Sequence, residues 1–241
     1  MQPRYKRVIL KLSGEALAGE NAMGFDYDIL SDIAEQIRAV AEMKVEIGIV
    51  VGGGNFWRGR QGAALQMDAS AADHMGMLST VINALALQDI IERKGLPTRV
   101  HTAVEMRAFA ETYVRRRAIQ QMQKGYCVIF ASGTGNPFFS TDSAAALRAS
   151  EIGAEIVLKA TNIDGVYDDD PRKNPAAKRF DSLSFDEAIR RELGVMDNTA
   201  FALCKNSGIP IFVFALEPGS ILKAVCGEIR GTYVSAGSSA P

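Results

Sequence analysis

Histidine is nearly missing from this chain: only His74 and His101 occur, far apart in sequence, so a histidine-built zinc site is a poor expectation. Cysteine is sparse too. Cys127, Cys204 and Cys226 are odd in number and form no CxxC pair, which fits reduced cytosolic thiols rather than a disulfide framework. Neither charge sign dominates, because 27 Lys and Arg stand against 28 Asp and Glu, so no broad basic surface for a nucleic acid polymer is expected. Long apolar runs are absent: none approaches the ~20 residues of a membrane helix, so no membrane partner is expected. The run behind the basic N-terminus, Val8-Ile9-Leu10, stops at Lys11, too short for a signal-peptide core. These absences point to a soluble cytoplasmic protein. Two nucleotide signatures are also missing. The chain has no Gly-Lys dipeptide and hence no GxxxxGK[ST], and no GxGxxG follows its first strand.

What is present is the composition of a globular protein, 241 residues with 47% hydrophobic and 23% charged. A chain of this length buries roughly 70–75% of its extended surface, enough for one large core. We expect a single domain over 1–241, with its core at 6–235 and a Ser/Gly/Ala tail at 236–241 that frays.

Short β-branched runs alternate with segments of helical period. Strands are expected at 8–12, 45–51, 98–101, 126–131, 156–160 and 211–215, with an edge strand at 232–234. Helical spacing links Ile29, Ile33, Ile37 and Val40, and helices are expected at 71–94, 115–124, 141–152 and 197–206 and from Gly219. Ser184, with Glu187 three residues on, reads as a capping box opening another helix. The stretch 164–179, with two prolines and many charges, reads as a polar loop. This alternation implies an α/β three-layer αβα sandwich around a mostly parallel sheet, with ligands beyond the carboxyl ends of its strands.

Unusual residues gather at those ends. Lys11 closes an apolar strand before Ser13 and Gly14. It reads either as a phosphate ligand or as a snorkelling strand-end lysine. Gly52-Gly53-Gly54 closes the second strand, where bare N–H groups can cradle phosphate, and Arg58 follows. Thr134 to Ser143 opens a helix with hydroxyls and amides, and its tandem Phe138-Phe139 reads as a wall for a base or a plug for the core. Lys159 ends a further strand as Lys11 does, and two such lysines above one sheet edge suggest a phosphate clamp. Asp73 and His74, early in a helix, read from chemistry alone as structural. That helix also carries Met75, Met77, Leu78, Ile82 and Leu85, more apolar residues than one core face needs, which raises the question of a subunit interface.

The segments KLSGEAL (from Lys11), VVGGGNFWRG (from Val50), SAADHMGML (from Ser70), ASGTGNPFFSTDSAAALRA (from Ala131), LKATNIDGVYDDDPR (from Leu158) and MDNTAF (from Met196) resemble the amino acid kinase superfamily, in the family's order. Within it, TGNPFFSTDSAA and ADHMGML resemble the bacterial uridylate (UMP) kinases. The resemblance implies transfer of the γ-phosphoryl of ATP to UMP, a step of pyrimidine nucleotide biosynthesis. It implies ATP contacts at Lys11, Leu12, Ser13, Gly14, Gly54, Arg58, Thr161, Asn162, Tyr167 and Asp170. UMP contacts are implied at Gly53, Asp73, Thr134, Gly135, Asn136, Pro137, Phe138, Phe139, Ser140 and Thr141. Lys11, Asp142 and Lys159 would be catalytic, with Asp142 organising the lysines. Mg²⁺ would arrive on the ATP phosphates, without a protein metal site. A homohexamer activated by GTP and inhibited by UTP is implied as well, with 19–24 as the GTP-response segment. Two other readings stay open: a non-catalytic nucleotide or oxyanion sensor on the same fold, and a sibling kinase with a carboxylate acceptor.

Overall fold

In the computed structural model, which describes residues 1–237, the apolar runs become strands buried on both faces. β1 (Arg7–Leu12) leads through α1 (Gly14–Ala18) and α2 (Tyr27–Glu42) to β2 (Glu46–Val51). α3 (Gly59–Ala64) and the long α4 (Ala69–Arg93) precede β3 (Thr98–Thr102) and β4 (Glu111–Thr112). α5 (Arg115–Gln123), β5 (Cys127–Ala131), α6 (Thr141–Ile152) and β6 (Ile156–Thr161) follow. Then come β7 (Val166–Tyr167), β8 (Arg179–Phe180), β9 (Ser182–Ser184) and α7 (Phe185–Arg190). The chain closes with α8 (Asn198–Ser207), β10 (Ile211–Ala215), α9 (Ser220–Cys226) and β11 (Thr232–Ser235). Of the tail expected to fray, 238–241 lies outside the described residues.

The main sheet has nine strands in the order β4-β3-β5-β2-β1-β6-β10-β11-β9. Its pairings are parallel except β10 with β11. On one face α2, α4 and α9 bury Leu30, Ile33, Ile37, Val81, Leu87 and Val225 against β1, β2 and β6. On the other, α5 to α8 bury Met122, Ala145, Ala149, Phe185 and Phe201 against Ile9, Val128 and Val157. The expected three-layer αβα sandwich is what forms. Serine and aspartate set the helix starts: the side chains of Asp26, Asp68, Ser140, Ser184 and Asp197 accept N–H groups of the first turns of α2, α4, α6, α7 and α8. Gly153 and Gly208 end α6 and α8 in the left-handed conformation.

Two readings of the sequence change. The stretch 164–179 is not wholly loop, since β7 pairs antiparallel with β8 in a second, two-stranded sheet. β11 is not an edge strand: β9 lies outside it, pairing through Val234 with Leu183. α4 keeps Met77, Val81 and Leu87 inside, while Met75, Leu78 and Ile82 face solvent. All three cysteines are free and buried, and burial pushes their thiols up, Cys204 to about 12. Among the described residues no helix is long and apolar enough to cross a membrane.

His101, in β3, is buried, and its Nε2 meets Gln121 Oε1 at 2.6 Å. The Gln121 amide nitrogen donates to Glu111, so His101 is the donor and holds its proton on Nε2. Burial pushes its pKa below the ordinary value. The unfolded chain therefore takes up this proton first as pH falls, so the His101 contribution is whole above about pH 6.5 and declines below it. His101→Gln is expected to flatten that acid limb, by up to about 1.4 kcal/mol per pH unit. Urea unfolding across this range reads the slope, and an unchanged slope contradicts the assignment.

Candidate active site

The chain moves from β1 outward through β2 to one edge of the sheet, then crosses back to place β6 on the other side of β1. Such a reversal opens a crevice at the carboxyl ends of the strands. The four strands whose ends carry the unusual residues are neighbours there, in the order β5-β2-β1-β6. Lys11 and Lys159 are register partners across β1 and β6, so both side chains leave the same face of the sheet. α6 starts on that face, and Asp142 in its first turn lies between them. Its Oδ1 is 2.7 Å from Lys11 Nζ, and its Oδ2 accepts from Lys159 Nζ at 2.6 Å. Lys159 Nζ also donates to the Val195 carbonyl. The side chains of Lys11, Asp142 and Lys159 are only 8%, 15% and 9% exposed.

Two ammonium groups and one carboxylate leave a net positive charge in a nearly dry place, an arrangement made for an anion. Burial pushes the Asp142 carboxyl up, but the two lysines outweigh it and hold it below the ordinary value. Burial pushes Lys159 down to about 8, with Asp142 opposing that fall and Lys11 adding to it. The Asp142 carboxylate is thus the counter-ion of both lysines. Its Oδ2 is hydrogen-bonded to Lys159, and its Oδ1 is ion-paired with Lys11.

The turns after β1 and β2 pack backbone to backbone. A Cβ at Gly14 would lie 2.6 Å from Asn55 Oδ1 and 2.7 Å from Gly54 N, and one at Gly53 would lie 2.7 Å from Ser79 of α4. These glycines therefore serve close approach as well as bare amides. Beyond them a cavity of about 940 Å³ is lined by Lys11, Ser13, Gly54, Arg58, Lys159, Thr161 and Asn162, among others. Arg58 is held at its rim by Glu15, 2.9 Å away, and by the Gly54 carbonyl. Leu12 faces the core, so only its backbone is available here. Tyr167 and Asp170 stand outside the lining: Tyr167 donates to Asp164, and Asp170 pairs with Arg172, which does line it.

The residues expected to hold the acceptor assemble around α4 and the stretch after β5. The Asp73 carboxylate accepts the Phe138 N–H at 2.7 Å, which ties 134–141 to α4. Within that stretch Thr134 Oγ1 accepts the Asn136 N–H, Gly135 and Phe138 adopt positive φ, and Ser140 caps α6 before Thr141. Pro137 leads into Phe138 and Phe139, which are 76% and 50% exposed. The aromatic pair therefore does not plug the core, because both residues are exposed.

Three supporting residues escaped the sequence reading. Asn83, fully buried in α4, exchanges amide hydrogen bonds with Asn55 at 2.7 and 2.9 Å and donates to the Gly52 carbonyl at 2.6 Å. Thr80 Oγ1 accepts the Ser132 N–H where β5 turns. Asp197, expected only as the first residue of a helix at 197–206, caps α8 and also binds Ser140 and Ser143 at the start of α6. A polar residue inside an apolar helix is the available signal for Asn83 and Thr80; none marks the second role of Asp197. Among the described residues no group of three His, Cys, Asp or Glu could hold a metal ion.

A model of the amino acid kinase family matches residues 6–215. A UMP kinase from Bacillus anthracis superposes with a TM-score of 0.94 at 37% identity, covering 98% of each chain. A UMP kinase from Ureaplasma parvum gives 0.91 at 37% identity, over 96% of this chain and 99% of that one. A uridylate kinase from Archaeoglobus fulgidus gives 0.75 at 28% identity, over 95% and 99%.

Proposed function

The chain belongs to the amino acid kinase family, and from that premise we propose that it transfers the γ-phosphoryl group of ATP to UMP, giving ADP and UDP. The observation that carries the reading is the Lys11–Asp142–Lys159 trio, nearly buried, whose two lysines line the large cavity. The acceptor atom is a phosphate oxygen that is already anionic, so the reaction needs no general base. Its difficulty is bringing two highly charged groups together, and the lysines offset the charge that spreads over the transferring group. Correct positioning supplies on the order of 7–11 kcal/mol more.

ATP is read into the cavity beside Lys11, Ser13, Gly54, Arg58, Thr161 and Asn162, with Tyr167 and Asp170 from the neighbouring loop closing on it. UMP is read onto Gly53, Asp73 and 134–141, where the exposed rings of Phe138 and Phe139 offer a face to the uracil. Both half-sites draw on one sheet, which supports treating 1–241 as a single domain. Phosphoryl transfer from a nucleotide calls for a divalent metal. With Asp142 paired to both lysines and no group of three metal-ligating side chains among the described residues, Mg²⁺ is assigned to the ATP phosphates. A homohexamer, GTP activation and UTP inhibition remain part of the proposal, as does a cytoplasmic location. The exposed Met75, Leu78 and Ile82 on α4 support an association face. The intact trio weighs against a non-catalytic sensor.

The test is ADP release from Mg-ATP with UMP, CMP, dTMP, acetylglutamate or aspartate as acceptor. Turnover is expected with UMP. Turnover confined to a carboxylate acceptor, or none with any, overturns the proposal.

A further inference from the structure

The Asp197 carboxylate joins two helices beside the lysines, α8 that it caps and α6. Its Oδ1 accepts the Ala200 N–H at 2.8 Å, which caps α8, and the Ser143 hydroxyl at 2.9 Å. Its Oδ2 accepts the Ser140 hydroxyl. Having given its proton to Asp197, Ser140 Oγ has both lone pairs turned to α6, where it accepts the N–H groups of Asp142 and Ser143 at 3.0 and 3.1 Å. The chain of contacts thus runs from Asp197 through one hydroxyl to the backbone of Asp142. Two residues before Asp197, the Val195 carbonyl accepts Lys159 Nζ. The segment 195–197 therefore holds both members of the Asp142–Lys159 pair.

We propose that Asp197 is a positioning residue for the phosphoryl transfer: through Ser140 and Ser143 it fixes the first turn of α6 and aims the Asp142 carboxylate between Lys11 and Lys159. The inference rests on the kinase reading above. A cap that served α8 alone would need neither serine of α6, and Ser143 is buried where only a partner makes its hydroxyl tolerable. Asp197 also acts electrostatically. The charged groups that face Lys159 are Lys11 from β1, Asp142 from α6 and Asp197 before α8, and the Cys204 thiol within α8 lies toward Asp142. Of these, Asp142 and Asp197 support its positive charge.

The test is Asp197→Asn, with Asp197→Ser as a second variant, because both residues cap helices about as well as aspartate and leave α8 its start. Asparagine keeps the Oδ1 contacts but turns an NH₂ toward Ser140, whose lone pairs are taken. The expected result is kcat lower by roughly 10- to 100-fold, with KM for UMP and ATP within about threefold, as slight misplacement of a reacting group produces. The alkaline limb of kcat/KM, set near pH 8 by Lys159, should also move down by about half a unit or more, because a supporting negative charge is gone. A purely structural cap would not move that limb. Activity within about twofold of wild type overturns the inference, and so does lost activity with an unmoved limb and a lowered melting temperature. Wild-type protein that releases no ADP with UMP fails the kinase reading instead, a result visible before any variant is made.

Discussion

Lys11→Ala is expected to lower kcat by about 100-fold or more while leaving KM for both substrates nearly unchanged, as the loss of one preorganised contact to transition-state charge does. The ammonium is buried in the sheet, 2.7 Å from Asp142, and reaches the cavity only at its tip. Little of its interaction is therefore spent on the ground state of a solvated nucleotide, and most is realised when charge spreads over the transferring phosphoryl. The same replacement removes the like charge that pushes Lys159 down, so the alkaline limb of kcat/KM should rise above pH 8. Steady-state kinetics over pH reads both effects. A raised KM with kcat unchanged would make Lys11 a simple binding residue, contrary to the role given to it here.

Asp142→Asn should be more damaging still, because it touches stability and chemistry together. With the carboxylate gone, two register-paired ammonium groups face each other without a counter-ion. Removing one member of a buried ion pair costs about 3–5 kcal/mol. Lys159, already at about 8 with Asp142 beside it, falls further and loses much of its charge near neutrality. A drop in kcat on the order of 1,000-fold is expected from lost charge and lost aim combined. The sign of the pH dependence identifies the cause. The depressed Lys159 of the variant releases a proton that its unfolded chain still binds, so its stability rises with pH toward the unfolded lysine pKa of about 10.4. The gap to wild type should therefore narrow between about pH 7 and pH 9 in denaturant titrations. A gap that stays constant contradicts an electrostatic origin.

The parts of this fold that the sequence makes legible are those where a local rule and the final structure agree. The helix 141–152 announces itself through Ser140 at its start and Gly153 at its end, and both do what their types suggest. Lys11 and Lys159 stand out because a lysine inside an apolar strand is costly without an anionic partner. That they pair with one carboxylate is not legible, since it depends on β6 crossing over to lie beside β1 in a register no local pattern encodes. β7, β8 and β9, of two, two and three residues, are too short for a period to show, so the sequence pattern gives no sign of the β7–β8 pair or of the strand outside β11. The amide pair of Asn55 and Asn83 stayed hidden for a like reason: its members are 28 residues apart and belong to different elements.

The lysine register has a consequence for the free protein. Neighbouring strands lie ~4.8 Å apart, so folding alone forces Lys11 and Lys159 together, with Asp142 the carboxylate that contacts both. The folded state holds two like charges, nearly buried, that its unfolded chain would leave apart and in water. A bound polyphosphate relieves that repulsion as well as adding contacts of its own. The resting protein is less stable than its fold could be, and its hold on nucleotide is the other face of that weakness.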